Sequence, residues 1–483
     1  MNPDHIRKPD KAKPSAASWK IATDIVGLDE ILEGGVPASS LTLLSGGPGT
    51  GKTMLGMEFL IRGAEAGHAG IILSFEERAE DLRRYAANLG WKLEELEAAG
   101  LLKIIATGVQ PEALYAGDFD LRGILAILEQ ETKAMSAERV LIDAPDVFLR
   151  LLDSPAKERV ELMMVHDWLR NHGLTTMMTV KASTRGEIGS QYDFLDFMAD
   201  CVIYLDQRVY EQVTTRRLRV VKYRGSSYSR NEYPFSITLN GVWIIPVTRA
   251  DLQHRALGES MSSGIQGLDE ILGGGYRRNS CTLISGGAGT GKTTFAASFV
   301  RSVTEQGERV LYLDFEESWD ALISCMLSPG IDLTPAEQNG KLRFISTMPE
   351  SQGIEEHLIQ IYRIIAEFEP KHLVLDALSA CRRMGSHHAA FDFLLRLIDH
   401  CKREGITTLL TNLTNSPYGS DEFTGIDLSS VIDTVVILSN QIEGGSFKRQ
   451  IAIVKSRGRA HSSNVHSFTI TDRGVVIQNG EVA

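Results

Sequence analysis

No uninterrupted apolar run in the sequence approaches the roughly 18–20 residues that a membrane-spanning helix needs, so no membrane association is expected. Cysteine is sparse: Cys201, Cys281, Cys325, Cys381 and Cys401 are scattered, odd in number and never spaced as CxxC. That argues against a disulfide framework or a zinc site and fits a reducing cytoplasm. The first residues, MNPDHIRKPDKAKPSAAS, are basic but lack the apolar core of a secretory signal, so residues 1–17 read as a flexible tail. Positive charge is the minority sign, with 50 Lys plus Arg against 62 Asp plus Glu and a formal net charge of -12. Tyr and Trp do not interleave with the basic residues as a base-stacking platform would require, so nucleic acid is not an expected partner.

What is present is a composition of 43% hydrophobic and 23% charged residues over 483 positions, enough for two to four globular domains. The chain also repeats itself. Residues 23–54, TDIVGLDEILEGGVPASSLTLLSGGPGTGKTM, return at 263–294 as SGIQGLDEILGGGYRRNSCTLISGGAGTGKTT, with 20 of 32 positions identical at an offset of 240. ILSFEER (72–78) returns as LYLDFEES (311–318), RVLIDA (139–144) as HLVLDA (372–377), and VVKYRGSSY (220–228) as IVKSRGRAH (453–461). A period this long marks a duplicated domain rather than a solenoid unit. The expected division is a first domain over 18–247, a polar linker over 248–262 and a second domain over 263–483.

Each copy alternates short, β-branched apolar runs with amphipathic stretches. The first contains LTLLS, GIILSF, RVLIDA, LTTMMTV, CVIYL and LRVVKY; the second contains CTLIS, RVLYLDF, HLVLDA, ITTLLTN, TVVILS and IAIVK. Residues 53–66 and 158–171 read as helices. Near-continuous apolar strands separated by helices predict two α/β domains, each a mostly parallel sheet flanked by helices, with antiparallel additions near each end. Met163–Met164 and Met177–Met178 read as core filling, and His387–His388 as surface residues of a loop.

GGPGTGKT (46–53) and GGAGTGKT (286–293) both satisfy GxxxxGK[ST], each after an apolar strand and opening a helix. In this pattern Gly49, Thr50, Gly51 and Gly289, Thr290, Gly291 wrap backbone N–H groups around phosphates, Lys52 and Lys292 supply charge, and Thr53 and Thr293 offer a hydroxyl to Mg²⁺. Asp143 and Asp376 end apolar strands, where a carboxylate can hold water on the metal ion. The pairs Glu76–Glu77 and Glu316–Glu317 follow the second strand of each copy. One carboxylate of such a pair can activate an attacking water or hydroxyl. Lys222 with Arg224, and Lys455 with Arg457, sit on late strands with basic residues such as Arg449 just upstream, and read as cations for a neighbour's γ-phosphate. A solvated basic edge strand is the alternative for these segments.

Tandem domains that each carry GLDEIL before the phosphate loop, an EE pair after a strand and a late K-x-RG closely resemble the KaiC family, over residues 21–476. The resemblance implies two RecA-like P-loop NTPase domains in a double-ring homo-hexamer, with ATP at subunit interfaces. It implies a slow ATPase in the first ring and a Ser/Thr autokinase and autophosphatase in the second. Lys222 and Arg224, and Arg449, Lys455 and Arg457, would act from a neighbouring subunit. The phosphorylation pair falls on Ser429 and Ser430, with Thr424 nearby, and Arg383 falls on the family's arginine near the phosphorylated residues. A KaiB-like protein partner follows by the same resemblance. Departures are visible: Ser430 replaces the usual Thr, Pro329 stands where a Trp is usual, and Tyr228 stands where the first copy usually has the His that His461 retains in the second. The chain stops soon after GVVIQNG without the family's long tail, so KaiA is not expected as a partner. A DNA-dependent RecA or helicase-type motor, and an ATP-sensing scaffold with little catalysis, remain alternative readings.

Overall fold

The computed structural model describes residues 19–107, 121–149, 154–181, 193–210, 213–245, 255–384, 387–414, 430–443 and 446–478. The chain divides into two compact units, Met1–Thr248 and Arg249–Ala483. Within the stretch expected to be linker, residues from Arg255 onward bond inside the second unit. The Gly258 amide donates to the Arg278 carbonyl, the Arg277 guanidinium donates to the Leu257 and Gly258 carbonyls, and Ser260–Met261 pairs antiparallel with Tyr276–Arg277.

Each unit is built on a nine-stranded sheet. In the first, the central strand Leu41–Gly46 lies between Thr175–Lys181 and Cys201–Tyr210, parallel to both. Arg139–Asp143, Gly70–Ser74 and Leu102–Ala106 extend the parallel side. Val213–Tyr223, Tyr233–Thr238 and Gly241–Ile244 extend the other side antiparallel. The second unit repeats this order around Cys281–Gly286. The strands Gly70–Ser74, Arg139–Asp143, Val310–Asp314 and His372–Asp376 are buried along their whole length. Sequences apolar on both faces survive only in a sheet covered on both sides, which is why these runs do not alternate.

The helices after the phosphate loops, Lys52–Glu65 and Lys292–Glu305, bury Leu55, Phe59, Leu60 and Phe295, Phe299, Val300 respectively. Two features depart from the expectations. His387 and His388 open the helix His387–Glu404 rather than lying in a loop. The buried side chains at Phe393, Leu394, Leu397, Ile398 and Cys401 carry a helical period back towards them. Met177 and Met178 are buried, but Met163 is exposed, because it falls on the outer face of Pro155–Asn171. Among the described residues no helix is long and apolar enough to cross a membrane.

The two long hairpins carry matching irregularities. Strand register shifts between Val202 and Ile203, and between Val435 and Val436. The extra residues opposite are Val221 and Val454, both exposed, and each immediately precedes the lysine of the Lys-x-Arg motif. A bulge re-aims the side chains that follow it, and here it sets the direction of Lys222 and Lys455.

Candidate nucleotide sites

Each phosphate loop joins the central parallel strand to a helix, so free backbone N–H groups converge at the helix N-terminus. Gly51 caps its helix at φ 98° and Gly291 at φ 101°. A Cβ at either would lie 2.7 Å from the terminal methyl of Ile237 or Ile470, which can move aside, so it is the positive φ that favours glycine there. The Lys52 amine donates to the Gly46 and Gly47 carbonyls at 2.9 and 2.7 Å. The Lys292 amine donates to Gly286 and Gly287 at 3.0 and 2.9 Å. Thr50 and Thr290 close their loops onto the Gly47 and Gly287 carbonyls, both at 2.9 Å. Burial lowers the pKa of both lysines; Asp143, Asp146 and Glu76 oppose this at Lys52, and Asp376 and Glu316 at Lys292.

The strand-ending aspartates differ. Asp143 accepts from the Thr179 hydroxyl at 2.6 Å and from Thr53 at 3.0 and 3.2 Å through its two oxygens. Burial pushes its carboxyl pKa up, and the two hydroxyls pull it back. A hydroxyl and a buried carboxylate meeting beside the loop form a hard-oxygen set that fits Mg²⁺, an ion that takes its remaining ligands from water and phosphate. Asp376 instead accepts from Tyr312 at 2.9 Å and from Thr411. Thr293 is the second residue of its helix, and among the described residues no hydrogen bond joins its hydroxyl to Asp376.

The glutamate pairs are positioned by the residue that ends the strand before them. Ser74 accepts the Glu77 amide at 3.1 Å and donates to the Glu77 carbonyl at 2.8 Å. Glu77 in turn accepts from Tyr85 at 3.3 Å, while Glu76 is exposed and acts electrostatically on Lys52 and Asp143. In the second unit one oxygen of Asp314 accepts both the Glu316 and Glu317 amides, at 2.8 and 2.7 Å. Burial pushes the Asp314 carboxyl up to about 7; the charges of Asp376 and Glu317 add to this and the two amides oppose it. Burial also raises Glu317, with Asp376 and Glu316 adding. Glu316 acts on Lys292 and lies 3.7 Å from Arg383, whose Nε is 2.8 Å from Glu350. Sequence reasoning picked the glutamates but missed Ser74, Asp314, Tyr85, Tyr312, Thr179, Thr411 and Glu350. For Asp314 a signal existed, since Asp two residues before a glutamate is the spacing of an Asx turn.

The Lys-x-Arg pairs grip the turn that enters the long hairpin. Lys222 donates to the Phe197 and Ala199 carbonyls at 3.2 and 2.7 Å, and Arg224 lies 3.5 Å from Asp200. Lys455 donates to the Ile432 carbonyl at 2.8 Å. Arg457 donates to the Ser430 carbonyl and lies 3.4 Å from Asp433. Arg449 reaches its own phosphate loop, donating to the Gly289 carbonyl at 3.4 Å. Ser430 is exposed; Ser429 and Thr424 lie outside the described residues.

Two intact phosphate loops on one repeated sheet narrow the comparison with known proteins. The family described as "ATPase: KaiC" matches residues 21–249 and again 261–482. The chain belongs to the KaiC ATPase family. Among its KaiC relatives, the circadian clock protein KaiC2 of Synechocystis is 39% identical over 461 residues, covering 94% of this chain and 81% of the relative. The circadian clock oscillator protein KaiC of Acaryochloris marina is 34% identical over 480 residues, 99% of this chain and 92% of the relative. The circadian clock protein KaiC3 of Synechocystis is 31% identical over 462 residues. KaiC membership makes ATP the nucleotide these loops are built for.

Proposed function

We propose that the protein is a homo-hexameric, cytoplasmic KaiC-type ring that binds Mg-ATP at both sites, hydrolyses it in the first domain and phosphorylates itself in the second. What supports this reading is a complete phosphate loop in each domain, with the first member of each carboxylate pair, Glu76 and Glu316, acting electrostatically on the loop lysine. Thr53 with Asp143, and Thr293 with Asp376, would hold Mg²⁺, which supplies charge neutralisation at the β- and γ-phosphates.

In the first domain Glu76 takes a proton from water as the water oxygen bonds to the γ-phosphorus and the bridging P–O bond breaks, leaving ADP and phosphate. In the second, Glu316 takes the proton of Ser429 or Ser430 from an adjacent subunit. The serine oxygen then bonds to the γ-phosphorus and ADP departs. Lys222, Arg224, Arg449, Lys455 and Arg457 would come from the neighbouring subunit to the transferring group. Their intrachain acceptors are mainly neutral carbonyls, and a phosphate is the stronger acceptor because its bonds are charge-assisted. The phosphorylated state would be read by protein partners, with a KaiB-like protein the first to test.

Incubation of purified protein with γ-labelled ATP and Mg²⁺ is expected to label the chain, and Ser429→Ala with Ser430→Ala to abolish the label. Label that survives the double change would remove the acceptor assignment. ATP turnover stimulated many-fold by single-stranded DNA would favour a nucleic-acid motor instead.

A further inference from the structure

We propose that Asp314 is the positioning residue of the second domain's carboxylate turn, holding Glu316 towards Lys292 through the Glu316 and Glu317 amides. The inference rests on the reading of Glu316 as the base. Val310–Asp314 leaves the sheet at Asp314, which is paired in register with Asp376 on one side and Ser346 on the other. The next amide, that of Phe315, still finds the Asp376 carbonyl at 3.0 Å. The Glu316 and Glu317 amides lie beyond the ladder, and Asp314 takes both on one oxygen.

The first domain solves the same problem differently. Ser74, in register with Asp143, accepts only the Glu77 amide and spends its proton on the Glu77 carbonyl. A hydroxyl fixes one residue of the pair, whereas a carboxylate can fix both through charge-assisted bonds. The carboxylate is also the costlier choice. Asp314 is 3% exposed and stands in register beside Asp376, a second buried carboxylate. A serine would cap the strand without that cost, so the second amide is what Asp314 adds. The consequence is a Glu316 backbone with less freedom than that of Glu76, and a base whose placement depends on a residue that touches no substrate.

The test uses full-length protein carrying Glu76→Gln and Glu77→Gln, so that γ-label transfer reports the second domain. Asp314→Ala, Asp314→Asn and Asp314→Ser are compared by the initial rate of γ-label transfer to the chain across ATP concentrations and by hydrogen exchange at the Glu316 and Glu317 amides without nucleotide. Asp314→Ala is expected to lower kcat about ten- to a hundredfold with KM within about threefold, and to speed exchange at both amides. Asp314→Asn keeps the acceptor oxygen and should retain kcat within about threefold and most of the protection. Asp314→Ser should protect Glu317 alone. Unchanged exchange in Asp314→Ala, a kcat for Asn as low as for Ala, or a loss confined to KM would overturn the proposal. Glu316→Gln in the same background separates the two claims. Full label transfer there removes the base assignment, while the exchange data still judge the cap.

Discussion

The two phosphate loops bond almost identically, lysine to two carbonyls and threonine to one, but the carboxylates around them do not. Asp143 and Asp376 share a bond from matching threonines, Thr179 and Thr411, but Asp143 adds the Thr53 hydroxyl where Asp376 adds that of Tyr312. The difference extends outward. The buried Glu58 accepts the Val242 amide at 2.6 Å in the first domain, where the second has Ser298 at the matching helix position. Conversely, Lys402 and Asp433 form a buried pair at 2.8 Å in the second domain, where the first has the exposed Arg170 at the position of Lys402. The loop backbone has little latitude, because Gly49, Gly51, Gly289 and Gly291 adopt positive φ angles that side chains disfavour. Side chains one layer out can diverge while the loop stays fixed, and that layer is where the two domains acquire different chemistry.

Five substitutions would break or sharpen this contrast. The largest effect is expected from Lys52→Ala and Lys292→Ala, each removing roughly a hundredfold or more of turnover in its own domain, read as ATP hydrolysis with the other domain silenced. Lys402→Leu removes the second domain's buried pair and leaves Asp433 with only Arg457 and the Cys281 amide. A loss of about 3 kcal/mol in denaturant unfolding is expected, and adding Asp433→Asn should recover much of it.

Glu58 gives a pH signature confined to the first domain. Burial raises its pKa, against the Val242 amide and Arg62. The folded state therefore holds the proton more tightly than the unfolded chain. Its contribution to stability is full below the ordinary glutamate value of about 4.3 and is lost as pH rises through the raised value. Glu58→Gln should remove that slope from the pH dependence of the unfolding midpoint. The smallest effect belongs to Tyr85→Phe, which deletes a 3.3 Å bond to Glu77; first-domain turnover should change by no more than about threefold, since such a bond contributes ~1 kcal/mol or less.

The duplicated loops, central strands and glutamate pairs were legible in the sequence because each is fixed by local requirements: glycine where φ is positive, apolar runs where both faces are buried. The edge strands Leu102–Ala106 and Leu342–Ser346 were not, since LKIIA and LRFIS face solvent in part and look like loop. The outer halves of the long hairpins were missed for a related reason. Cys201–Tyr210 continues past CVIYL into mainly polar residues that pair with Val213–Tyr223. Bonds such as Tyr312 to Asp376, 64 residues apart, depend on sheet register and leave no pattern in the chain. Ser430 was nameable from the family resemblance, but its carbonyl's attachment to Arg457 was not.

The division of labour between the domains is tested most directly by measuring phosphate release and protein labelling together, with γ-labelled ATP, in Glu76→Gln and Glu316→Gln. The account predicts that Glu76→Gln lowers phosphate release while Ser429 and Ser430 still take label, and that Glu316→Gln abolishes label while most phosphate release survives. Equal loss of both signals in both variants, or label that persists without Glu316, would contradict it.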